Sequence, residues 1–429
     1  MRQLAVLSLL TLATIAARSA SAQVVVLDNL TLVDGTGAPP LANARILIDG
    51  DRLRAVGRAE AVPLPPGGAE RIDLGGRFVL PGLVDAHFHI ENDSRLALRQ
   101  LSHGVTSFRD PGAWMEQFEE LKRLIAADRL AGPRMSLCGP HIDGEHPAYP
   151  NDSVVARDPG EARLLAERVI REGATAVKVY FRLPLAGVKA VIEVCKARHV
   201  PVTAHLEIVD AREALRAGLD GIEHITSFGT CLVPERRAEQ YRQAVLLDNG
   251  ARRLGRYELL SEARFDGAGA SELANVLRTT RPFVDPTLAV FEVRASTLPE
   301  GWNASFLTVG VKGFDNMKRL TLFAHRNGGR VVLGGHSTVP FAGRGEAPLR
   351  ELELLVESGL TPLEAIQAAT LNGARFLFRE KDIGSIEAGK LADLIVVDGN
   401  PVQDISAMRR VERVMVGGRW IDVARYRTY

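Results

Sequence analysis

From residue 24 to about residue 77, apolar and polar residues alternate, and clusters such as Asp34-Gly35-Thr36-Gly37 and Asp49-Gly50-Asp51 interrupt the alternation. A period of two marks half-buried strands, and the Gly and Asp clusters supply the turns between them. The same texture returns near the other end, in Leu394-Ile395-Val396-Val397 and Val411-Glu412-Arg413-Val414-Met415-Val416. Between these regions, short apolar runs alternate with amphipathic stretches of helix length, the pattern of repeated βα units that share a parallel sheet. Eight apolar runs fall at about 78–86, 104–109, 134–138, 175–181, 200–206, 220–225, 281–285 and 330–335. Helices are predicted at 112–130, 160–173, 185–198, 210–217, 312–327 and 361–377, with Asp210 and Thr361-Pro362 as openers.

Eight βα units predict an α/β protein built on a closed (β/α)8, TIM-like barrel. The expected division is a barrel over 78–380 and a small β-sandwich domain formed by the terminal segments 23–77 and 381–429. At 429 residues the chain has room for both, since such a barrel needs about 250. The stretch 226–280 exceeds what a βα connection needs. It reads as a lid insertion, with an ordinary barrel helix carrying a decorated loop as the equal alternative.

The first residues change the picture of where the protein works. Arg2 precedes an apolar run from Leu4 to Ala17, and Ala20-Ser21-Ala22 follows as a small-residue cleavage site. This is the pattern of a signal peptide over 1–22, so a periplasmic or secreted enzyme is expected, with no membrane attachment after its removal. Lys plus Arg number 53 against 52 Asp plus Glu, so no net field points to nucleic acid. A small-molecule substrate is the expected partner. Cys138, Cys195 and Cys231 are too few and too scattered for a disulfide framework, and packing is their expected role.

Candidate chemistry gathers at the ends of the apolar runs. Leu80-Pro81-Gly82-Leu83-Val84-Asp85-Ala86-His87-Phe88-His89 closes the first with two histidines one residue apart. Side chains two apart on a strand share a face, so both imidazoles can address one metal. Lys178 sits inside the apolar run Ala176-Val177-Lys178-Val179-Tyr180, where an unpaired ammonium is costly to desolvate and requires compensation. His205 and His224 each end a run on consecutive strands, at the barrel end where active sites form. Each of these residues alone has a bland reading, a core histidine or a snorkelling lysine; their common placement favours ligation.

Together, the terminal β segments, the His-x-His on the first strand, the lysine on the fourth and the histidines on the fifth and sixth resemble the amidohydrolase superfamily. Within it the sequence is similar to the imidazolonepropionase-like and Xaa-Pro-dipeptidase-like branch, whose C-terminal signature matches Gly384-Ser385-Ile386-Glu387-Ala388-Gly389-Lys390-Leu391-Ala392-Asp393-Leu394. The resemblance implies two divalent metal ions, zinc the expected pair, bridged by an N-carboxylated Lys178. His87 and His89 would hold one ion, and His205 and His224 the other. It implies hydrolysis of an amide, peptide or cyclic amide C–N bond by a metal-activated water, and carries a tendency toward homo-oligomers that no segment of the sequence marks.

One position departs from that pattern. The eighth strand of the family ends in an acid that binds metal and takes the proton of the attacking water, whereas Val331-Val332-Leu333-Gly334-Gly335-His336 supplies His336. An imidazole can ligate or act as base, but not both through two oxygens as a carboxylate does. Hydrolysis with His336 as the substituted catalytic group is the leading expectation. A lyase performing elimination or decarboxylation, and a metal-binding protein without turnover, are the alternatives. For substrate contact the candidates are His141 and Tyr180, while Arg182 and His146 read as loop packing and Arg109-Asp110 equally as a substrate contact or a structural ion pair.

Overall fold

The computed structural model describes residues 24–66, 68–127 and 131–429. The export signal expected at 1–22, and the last residues of the helix predicted over 112–130, lie outside the described residues.

Each alternating segment near the termini forms strands of a single sheet. Its order is Arg419–Trp420, Val411–Val416, Leu394–Val397, Phe78–Pro81, Val25–Leu32, Leu41–Asp49, Arg52–Arg58, with Glu70–Asp73 also paired to Val25–Leu32. The two terminal segments thus share one hydrogen-bonded sheet. The reason is local: Phe78–Pro81 pairs in parallel with Val25–Leu32 on one side and antiparallel with Leu394–Val397 on the other, joining the two terminal segments. Leu27, Ile46, Leu394, Val396 and Met415, all fully buried, pack on it. Burial of each such side chain contributes roughly 1.5–3 kcal/mol before the entropy of ordering is subtracted.

The central runs form parallel strands in two sheets. One holds Leu83–Asp85, Val105–Asp110 and Arg134–Leu137. The other runs Ser153–Val155, His141–Asp143, Val177–Val179, Val202–His205, Gly221–Glu223, Phe283–Asp285, Arg330–Val331. Apart from Arg134–Leu137, Ser153–Val155 and Arg330, these strands are buried throughout, as parallel strands covered on both faces must be. Backbone bonds cross between the sheets, Thr175 N to Leu137 O at 2.9 Å at one junction, and Ala86 N to Leu333 O and His336 N to His87 O, each at 2.7 Å, at the other.

The predicted run 78–86 divides at Gly82, with Phe78–Pro81 in the terminal sheet and Leu83–Asp85 in the parallel one. A Cβ at Gly82 would stand 2.1 Å from Thr106 Oγ1, so only glycine lets the chain pass this corner. Helices pack outside the parallel strands. Asp158 caps Pro159–Arg171 by accepting from Glu161 N, and Thr361 and Glu364 form a capping box at Pro362–Gln367. The helix predicted over 361–377 is broken by a π turn at Ala368–Asn372. Ser94–Ser102 and Ala347–Glu357 are helices that the sequence pattern did not reveal.

The long stretch after Gly221–Glu223 contains a 3-10 turn at Ile225–Leu232 and the helices Glu235–Leu247, Arg252–Ser261 and Ala268–Thr280. The last leads directly into Phe283–Asp285. Arg182 ties down the end of the first helix and the turn after it by donating to the carbonyls of Val245 and Leu246 and to Asn249 Oδ1. Among the described residues no helix is long and apolar enough to cross a membrane. All three cysteines are free and buried.

Candidate metal centre

A cavity of about 310 Å³ opens where the parallel strands end, and His87, His89, Lys178, His224 and His336 line its floor. The rings are in mutual contact, with centroids 5.0 Å apart for His87 and His89, 4.7 Å for His87 and His224, and 4.8 Å for His89 and His336. His205 stands 4.5 Å from His224, behind Tyr180, and does not line the cavity itself. His141 and Tyr180 stack at 4.5 Å and form part of the wall. His146 and Arg182 are not among the lining residues.

Backbone strain is concentrated here. His224 has φ of 60° and His336 of 57°, and Ser337, Thr287, Glu91 and Asn92 also lie in the left-handed region. Side chains rarely adopt that conformation, and holding one there costs of order 1–3 kcal/mol. For His336 the compensating contact is visible: its N–H donates to His87 O at 2.7 Å, tying the eighth strand to the His-x-His.

The imidazoles are held neutral. Burial, reinforced by the nearby positive charge of Lys178 or neighbouring histidines, pulls His87, His89 and His224 well below the usual histidine range. The same causes bring His336 down to about 4 and His141 to about 3, and burial takes His205 to about 4 despite its bond to Glu207. Neutral imidazole is the form that binds metal.

Three of these rings have one nitrogen occupied by a protein group. His87 Nδ1 lies 2.7 Å from Asp285 Oδ2, His205 Nε2 2.8 Å from Glu207 Oε1, and His224 Nδ1 2.7 Å from Thr287 Oγ1. The opposite nitrogens of His87 and His205, and Nδ1 of His336, are buried without a hydrogen-bond partner. Ligand atoms of His87, His224 and His336 all lie within 4.8 Å of one another. Imidazoles gathered in this way, with His87 and His205 each bare on one nitrogen and backed by a carboxylate on the other, fit the donor set a divalent metal requires.

Comparisons with known proteins give the chain a family. A family model described as the amidohydrolase family matches residues 78–233 and 323–421. The chain belongs to the amidohydrolase family. Its sequence is 27% identical over 384 residues to an imidazolonepropionase of Pseudomonas aeruginosa, covering 83% of this chain and 87% of that one. It is 24% identical over 426 residues to an imidazolonepropionase of Legionella pneumophila, covering 92% and 98%. Among solved structures, a Xaa-Pro dipeptidase with bound methionine superposes with a TM-score of 0.72 at 22% identity, over 93% of this chain and all 100% of that one. Ochratoxinase of A. niger gives 0.70 at 20% identity, over 93% and 96%. This amidohydrolase thus lies in the imidazolonepropionase-like and Xaa-Pro-dipeptidase-like branch.

Beneath the histidines lies an ion-pair network that sequence reasoning missed. Glu223 accepts from Arg109 Nη2 at 2.7 Å, from Thr203 Oγ1 and from Lys178 Nζ. Burial alone would raise its pKa, but Arg109 and Lys178 hold it down at about 2. The compensation that Lys178 demands is thus supplied in part by a neighbouring acid. Arg109 does not pair with Asp110, contrary to one of the two sequence expectations; Asp110 accepts from the backbone N–H groups of Ile90, Gly112 and Ala113.

Asp285 is the second missed acid. Burial, with the charges of Glu223 and Glu351 nearby, drives its carboxyl well above the usual range. It reaches His87 because the eighth strand carries Gly334, where a Cβ would fall 1.9 Å from Asp285 Oδ1. A signal for both acids was present in the sequence. Arg109 and Lys178 are cations inside apolar strands, and buried cations require buried anions.

Proposed function

We propose that this amidohydrolase is an exported, metal-dependent hydrolase that cleaves the C–N bond of an amide, dipeptide or cyclic amide. The observation that carries the reading is the set of imidazoles tied on one nitrogen by Asp285, Glu207 and Thr287, with the opposite nitrogens of His87 and His205 bare. The backbone bonds between the two parallel sheets support a closed (β/α)8 barrel. His87 and His89 would hold one divalent ion, zinc being the proposed metal, and His205 and His224 a second. Lys178, N-carboxylated, would bridge them, its remaining N–H still able to donate to Glu223. Bound there, such ions supply Lewis acidity, which polarises a carbonyl and acidifies water.

The chain's own residues then divide the remaining work. Tyr180 and His141, stacked on one wall, orient the scissile carbonyl and the group beside it. Asp285 and Glu207 keep the ligand rings from rotating. His336, neutral and with an unpartnered Nδ1, accepts the proton of the attacking water and returns it to the leaving nitrogen. The test is elemental analysis of the purified chain together with turnover of N-acyl amino acids, dipeptides and lactams in ¹⁸O-labelled water. About two metals per chain and label in the product carboxylate support the reading. Turnover without label would establish the lyase chemistry instead, and absence of metal would overturn the ligand assignment.

A further inference from the structure

Glu207 lies two residues beyond His205, just past the parallel strand Val202–His205, and both residues are 3% exposed. Its carboxylate is fully engaged, Oε1 at 2.8 Å from His205 Nε2 and Oε2 at 2.5 Å from the hydroxyl of Tyr241. Tyr241, also 3% exposed, comes from the helix Glu235–Leu247, in the long stretch that sequence reasoning read as a lid or a decorated loop. None of the three lines the cavity.

The chemistry of this arrangement is directional. A carboxylate accepts hydrogen bonds and cannot donate them. With Glu207 ionised and Tyr241 donating to its other oxygen, His205 must carry its proton on Nε2. Nδ1 is then a bare lone pair, and it is among the buried nitrogens without a partner. A carboxylate behind a ligating histidine fixes the tautomer and ring orientation and raises ligand basicity.

We propose that Glu207 and Tyr241 are positioning residues for His205, making the excursion after the sixth strand a structural part of the metal centre and not a mobile cover. This rests on the ligand role given to His205 above. It adds that one ligand of the centre is set by a helix outside the repeated βα units. Tyr241→Phe would leave Glu207 with one bond fewer. Glu207→Gln would also offer His205 an amide NH₂, which can donate to Nε2 and turn the ring to the tautomer protonated on Nδ1, where it cannot ligate.

The first measurement is ¹⁵N-histidine NMR of the metal-free full chain, which reads the tautomer whether or not the protein binds metal. His205 protonated on Nε2 in the wild type, and shifted away from that state in Glu207→Gln, is the expected result. An Nδ1-protonated or mixed ring in the wild type would overturn the proposal. The second is competition of Zn²⁺ and Co²⁺ against a chromophoric chelator. Glu207→Gln is expected to lose roughly 10–100-fold in affinity at one of the two sites, Tyr241→Phe less, and Glu239→Gln on the same helix nothing. Equal affinities in all four proteins, even with lowered thermal stability in the variants, would reduce the pair to a packing contact. A wild type that binds no metal but shows the Nε2 tautomer would sink the metal reading while leaving the orientation of His205 by Glu207 standing.

Discussion

Replacing Glu223 by Gln keeps the volume of the side chain and removes the charge that Arg109 and Lys178 share. All three side chains are 0–1% exposed, so water cannot take over the lost role. Breaking a buried pair by deleting one partner costs about 3–5 kcal/mol, because the surviving charge stays desolvated. The two cations do not suffer equally. Arg109 keeps bonds to Thr203 Oγ1 at 2.7 Å and Ala86 O at 3.2 Å, whereas Glu223 is the acid that faces Lys178. The expected cost therefore falls mainly on Lys178, at about 3–5 kcal/mol in total. Urea unfolding of the chelator-treated chain, followed by tryptophan fluorescence, reads this as a lowered midpoint at unchanged slope. Adding Lys178→Met to Glu223→Gln removes the stranded ammonium and should restore part of the loss. A single variant within about 1 kcal/mol of wild type, or a double variant no more stable than the single, would refute the charge-balance argument.

Three further outcomes follow from the same contacts. His336→Asp restores an acid at the end of the eighth strand and is expected to raise the hydrolytic rate on the amide panel at least tenfold with metal content unchanged; an equal or lower rate would mean that the histidine is specific to the chemistry performed. Glu351, fully buried and accepting from Leu288 N and Ala289 N, is pushed up to about 8 by burial despite those bonds, with Asp85 adding to the shift. Its folded form holds a proton that the unfolded chain releases near pH 4.5, so stability should fall as pH rises from there to about 8, and Glu351→Gln should flatten that slope in thermal melts taken across the range. Gly334→Ala would drive a methyl into Asp285 and is expected to destabilise by about 1–3 kcal/mol and weaken metal uptake, both measurable on one preparation.

What the sequence made legible was the part governed by short spacing. His87 and His89 share a face because strand geometry repeats every two residues, and the apolar runs that carry Lys178, His205 and His224 are strands whose ends gather together, with Lys178 and His224 lining the cavity and His205 behind Tyr180. The partners of these groups were hidden because they come from distant segments: Asp285 lies 198 residues from His87, and Tyr241 34 from Glu207. Glu223 was hidden for another reason. An acid next to a candidate ligand reads as a solvent-facing neighbour, and only the depth of Arg109 reveals that it points inward. The long helix Ala304–Arg326 starts eight residues before the expected 312 because Asn303 caps it by accepting from Phe306 N, a local signal overlooked beside the stronger apolar pattern farther on.

The stitching of the terminal sheet has a consequence for the order in which the molecule can be completed. Phe78–Pro81 leads through Gly82 into the strand that carries His87 and His89, and one of its two edges is covered only by Leu394–Val397. During synthesis that edge stays open until nearly the whole chain has emerged. The strand that leads to His87 and His89 is thus among the earliest made and among the last to complete its pairing, and a chain cut short before residue 394 would leave Phe78–Pro81 paired on one side only, with Val25–Leu32.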